Sequence, residues 1–135
     1  MRSFLAPLIA AAFVSQAQAQ PPEPLKRTPI ATYDLAPDKA VARVVVVRLD
    51  FKPGQTTGRH LHPVPVVGDV IEGAFVVKVE GQPEKHYTAG QSIYEPANTV
   101  IERYDNASSS KPAVLVAHYL AGAGQTELIR FLPKP

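Results

Sequence analysis

The sequence predicts an all-β domain, and three observations carry that prediction. Short β-rich stretches of four to eight residues follow one another from residue 40 onwards. Turn-forming residues separate them at regular intervals. No segment sustains the 3.6-residue apolar period of a helix. Fourteen prolines and eight glycines in 135 residues fit such a turn-rich chain and argue against long helices.

The first strand runs from Ala40 to Phe51. Val41, Val45, Val47, Leu49 and Phe51 form one apolar face, interrupted by Arg43, while Val44 and Val46 add apolar residues to the other. Its middle therefore reads as buried on both faces and its end as half-buried. Pro53-Gly54 turns the chain. Strands are then expected at Gly58 to His62, Gly68 to Ile71, Ala74 to Val79, Lys85 to Thr88, Ser92 to Glu95, Val100 to Tyr104 and Ala113 to Tyr119. Gly73, Gly81-Gln82, Ala89-Gly90, Pro96 to Asn98 and Asn106 to Pro112 punctuate them. The tail, Thr126 to Phe131, reads either as a helical turn or as a last edge strand. This spacing indicates a sandwich or barrel.

The N-terminus reads as an address. Arg2 precedes the uncharged run Phe4 to Val14, and small residues at Ala17 and Ala19 complete the pattern of a secretory signal peptide over residues 1–19. The run is shorter than the ~20 residues that span a bilayer. A Pro-rich arm over 20–38 and a single β domain over 39–135 follow. The expected product is secreted or periplasmic, with no membrane anchor after cleavage. Composition narrows the function classes further. With 14 basic and 12 acidic residues interspersed, there is no cluster to grip a phosphate backbone, so no nucleic-acid partner is expected. With no cysteine, thiolate metal sites, disulfides and cysteine nucleophiles are excluded.

The histidines carry the chemistry. In His60-Leu61-His62, alternation along a strand puts both imidazoles on one face, with Cα atoms about 6.5–7 Å apart. Two neutral imidazoles so placed suit Fe, Mn, Zn, Ni or Cu, and two exposed or hydrogen-bonded histidines are the plainer reading. Glu95, in the apolar run "SIYEP", and Glu102 are candidate carboxylates to complete a metal site; Glu72 belongs to a hairpin surface. His118 shares a face with Val114 and Val116; a barrel-facing His118 would serve as a proton shuttle or as a support to the ligands, and a lone hydrogen-bonded core histidine is the plainer reading. His86 reads as a surface residue.

The stretches "PGQTTGRHLHPVPVVGDVIEG" and "AGQSIYEPANTVIERYDNAS" resemble the two-part signature of the cupin superfamily. The first part is Gly, five residues, His-x-His, three or four residues, Glu, six residues, Gly. The second is Gly, five residues, Pro-x-Gly, two residues, His, three residues, Asn. The resemblance spans residues 40 to 120 and implies a cupin-type, jelly-roll-like β-barrel holding a divalent transition metal and a small-molecule ligand, and a homodimer. It also exposes departures. The Glu slot, seven residues before Gly73, is Val66. The second Gly of Pro-x-Gly is Asn98, which tolerates a left-handed turn. The later His slot is Ile101 counted from Pro96 and Glu102 counted back from Asn106, so one extra residue, a bulge, must lie between these anchors. Three functions stay open: a metal-dependent oxygenase- or isomerase-like enzyme, a metal-free ligand binder, and a structural or interaction domain.

Overall fold

The computed structural model describes residues 28–35 and 40–133, so the expected leader over 1–19 and most of the expected Pro-rich arm over 20–38 lie outside the described residues. Among the described residues there are nine strands: β1 (Arg43–Phe51), β2 (His60–Leu61), β3 (Val66–Glu72), β4 (Ala74–Val79), β5 (Lys85–Thr88), β6 (Ser92–Glu95), β7 (Val100–Asn106), β8 (Ala113–Ala121) and β9 (Arg130–Phe131). No helix appears among the described residues. The tail resolves to an edge strand, β9.

The strands form two antiparallel sheets. One has the order β1-β8-β3-β6, the other β5-β4-β7-β2-β9. Their inner faces meet in a single core, where Phe51 and Phe75, one from each sheet, pack edge-to-face with centroids 5.0 Å apart. Phe75, Ile93 and Ile101 are almost wholly shielded from water. Each such side chain contributes about 1.5–3 kcal/mol of burial free energy.

Alternation is clearest in β8, where Ala113, Leu115, Ala117, Tyr119 and Ala121 face the core. His118 lies on the other side of that strand, so the barrel-facing placement does not hold. Its Nδ1 is 3.3 Å from the Val67 carbonyl and 3.7 Å from Asp69, on the outer face of the sheet. The expected double-sided burial of β1 is also corrected. Val45, Val47 and Leu49 pack on the core, but Val44 and Val46 are 52 % and 58 % exposed. β1 is an edge strand, and burial on both faces needs a second layer, which the described residues do not supply here.

Two turns show local chemistry setting the geometry. Gly73 has φ +77°, and a Cβ there would lie 2.9 Å from the Ala113 Cβ and from the Pro112 carbonyl oxygen. Only glycine satisfies both demands. Asn98 is the sole non-glycine with positive φ among the described residues, at 60°. Its backbone N–H donates to the His62 carbonyl at 2.7 Å, which ties the turn after β6 to the His-x-His segment.

Candidate metal centre

β2 is only two residues long, yet it is held on both sides. His60 pairs with Ile101 of β7 and with Phe131 of β9. The pleat places His60 and His62 on the inner face, 2 % and 4 % exposed, with Leu61 pointing away. β6 supplies the third group. Its inward positions are Ile93 and Glu95, and Glu95 is 4 % exposed. Ligating atoms of His60, His62 and Glu95 all lie within 4.8 Å of one another.

The imidazoles are oriented by backbone carbonyls. His60 Nδ1 is 2.7 Å from the Gly58 carbonyl oxygen and His62 Nδ1 is 2.7 Å from that of Leu128. A carbonyl only accepts, so each Nδ1 carries the proton, and in the neutral ring Nε2 keeps its lone pair. Both Nε2 atoms face Glu95 Oε2, at 3.9 Å for His60 and 3.4 Å for His62. That oxygen is buried and has no hydrogen-bond partner among the described residues. Two atoms ligating one ion at about 2.1 Å stand roughly 3.0–3.4 Å apart for octahedral or tetrahedral angles. One distance already fits, and the other needs about 0.5 Å of closure. The donor set, two imidazole nitrogens and a carboxylate oxygen, thus fits a divalent transition metal.

Electrostatics separates the two histidines. Burial lowers the His60 pKa more than the Gly58 carbonyl and the Glu95 charge raise it. Burial also pulls His62 down, but the adjacent Glu95 carboxylate, together with the Leu128 carbonyl, outweighs it and raises its pKa. Burial first, and then the Glu95 charge, raises the Tyr104 and Tyr119 hydroxyls, so both stay neutral at ordinary pH.

Of the four candidate residues, the structure brings His60, His62 and Glu95 together and leaves Glu102 out. Glu102 is half-exposed and pairs with Lys78 at 2.7 Å. The reason is a bulge: Lys78 pairs with Arg103 and Val79 with Ile101, so Glu102 is the extra residue of β7. Ile101, fully buried opposite His60, takes the inward position. Val66 stands directly across from Glu95 in the β3–β6 ladder. The carboxylate that the resemblance places at position 66 is therefore offered by its cross-strand neighbour.

The cluster opens on a cavity of about 180 Å3. Its walls include Leu49, Phe51, Leu115, Ala117, Ile129 and Phe131. Sequence reasoning missed the C-terminal segment, which both orients His62 through Leu128 and lines the cavity mouth. Apolar residues at Leu128, Ile129 and Phe131 were the only available signal.

A family model for the cupin domain matches residues 47–119, more than half of the chain. The chain belongs to the cupin family. Among solved structures, it is similar to oxalate oxidase in complex with the substrate analogue glycolate, at 25 % identity and a TM-score of 0.57, over 66 % of this chain and 46 % of that one. A structure of DMSP lyases is 21 % identical with a TM-score of 0.57, over 67 % and 44 %. A cupin-like protein from Thermotoga maritima is 22 % identical with a TM-score of 0.54, over 66 % and 64 %. The chain thus spans less than half the length of the oxalate oxidase and lyase structures, and the last two likenesses bear on fold alone. No curated protein sequence matches it.

Proposed function

We propose that this is an exported cupin that holds one divalent transition metal through His60, His62 and Glu95 and receives a small organic ligand in the barrel. The observation that carries the reading is the buried Glu95 Oε2, unpartnered among the described residues and facing two imidazoles whose Nδ1 atoms are already engaged. A bare carboxylate in such a place is costly unless a cation meets it. When bound, the ion supplies Lewis acidity and positions open to a ligand. The protein's part is to keep both imidazoles in the Nδ1–H form, to hold Glu95 inward on β6, and to exclude water with apolar walls. An oxygenase- or isomerase-like reaction is the activity this arrangement favours.

Export rests on the leader pattern over residues 1–19. A homodimer is proposed from the family membership and from β1, a sheet edge whose outer face exposes Val44 and Val46.

The test is the metal content of the untagged mature protein by elemental mass spectrometry. Near one equivalent of a transition metal is expected, lost in the His60→Ala/His62→Ala variant. No metal after anaerobic loading with Fe(II), Mn(II) or Zn(II) overturns the reading and leaves a metal-free ligand-binding barrel. The raised pKa of His62 beside Glu95 is what favours that second reading, since a protonated imidazole would then meet the carboxylate.

A further inference from the structure

The cavity in front of the cluster is small and one-sided in its chemistry. Its volume of about 180 Å3 lies below the roughly 300–1,000 Å3 of sites for drug-sized ligands. Apart from Tyr104 and Tyr119, His60, His62 and Glu95 are the only acidic or basic side chains among the described residues that line it, and none is a lysine or arginine. The cations borne on the flanking backbone face outward. Arg59, next to His60, pairs with Glu80 at 2.9 Å, and Arg130, next to Phe131, pairs with Glu127 through its Nε at 3.0 Å.

Charge arithmetic then limits the ligand. On the metal-site reading above, on which this inference rests, two neutral imidazoles, one carboxylate and a divalent ion leave a single net positive charge. One negative charge on the ligand cancels it. A second would sit uncompensated between Leu49, Phe51 and Leu115, where the low dielectric penalises it. We infer that the cavity takes a monobasic organic acid, one ionised oxygen group on a small apolar body, and rejects dibasic acids of the same size. Phe131 is the residue that limits this charge preference at the entrance. It lines the mouth, lies across from His60 in the β2–β9 ladder, and is 63 % exposed. A cation placed there reaches the cavity without being buried.

Pentanoate and glutarate are matched probes, equal in carbon count and different by one charge. Isothermal titration of both into the Zn(II)-loaded mature protein at pH 7.5, with zinc measured on the same sample, tests the inference. Pentanoate is expected to bind at least tenfold more tightly than glutarate. Phe131→Arg is expected to lower the pentanoate-to-glutarate affinity ratio at least fivefold, whereas the neutral control Phe131→Leu is expected to leave that ratio within twofold. Both variants change an exposed side chain, and their melting temperatures check that the fold is kept. Zinc-loaded protein that takes glutarate as readily as pentanoate, that ignores millimolar pentanoate, or whose ratio Phe131→Arg does not move overturns the ligand class and leaves the metal site standing. Protein that holds neither zinc nor, after anaerobic loading, Fe(II) or Mn(II) overturns both.

Discussion

Removing the Glu95 carboxylate while keeping its shape, as in Glu95→Gln, tests the centre most directly. Its carboxylate oxygen lies 3.4 and 3.9 Å from the two imidazole Nε2 atoms, so it is one of the three groups placed to hold the proposed ion. Loss of a group that merely supports a ligand typically costs 10- to 100-fold in metal affinity, so loss of a ligand itself is set at about 100-fold or more. Consider metal at about 100 times the wild-type Kd. Bound metal then stabilises the native state by about 2.7 kcal/mol, and after a 100-fold loss by only about 0.4 kcal/mol. In a domain of this size 1 kcal/mol shifts Tm by about 4–8 °C. A chelator is therefore expected to lower the wild-type Tm by about 10–20 °C and that of Glu95→Gln by about 2–3 °C. Differential scanning fluorimetry with and without EDTA reads both. An unchanged wild-type Tm on chelation, or an equal drop in the variant, refutes the reasoning.

Three further outcomes are expected. In metal-stripped protein, the raised pKa of His62 contributes stability that is fully present below the unfolded value of about 6.5 and lost as pH rises through the folded value. Urea melts should accordingly show the stability gap between wild type and His62→Gln larger at pH 5.5 than at pH 8.5, and a gap that grows with pH contradicts the assignment. A Cβ at Gly68 would lie 3.2 Å from the Tyr104 hydroxyl oxygen and 3.3 Å from Leu115 Cδ1, so Gly68→Ala should destabilise by about 1–3 kcal/mol in the same assay, and a neutral effect means the neighbours yield freely. Val46→Lys puts a charge on the exposed face of the β1 edge; light scattering should find wild type as a dimer and the variant shifted to monomer, while a monomeric wild type ends the dimer proposal.

What the chain alone determined is local. Alternation and turn residues delimit β4, β5 and β6 at the residues expected, because pleat and turn chemistry act over a few neighbours. His-x-His reads as one face for the same reason, and the extra residue counted between Pro96 and Asn106 is the bulge at Glu102. The completed cluster is a non-local product. The sequence offers Glu95 and Glu102 alike as candidate carboxylates; the register that sets Glu95 opposite Val66, and the bulge that turns Glu102 toward Lys78, exist only once sheets pair. His62 is oriented by a carbonyl 66 residues away. The valines of β1 mislead because hydrophobicity states what a side chain prefers, whereas the sheet order decides whether a second layer is there to cover it.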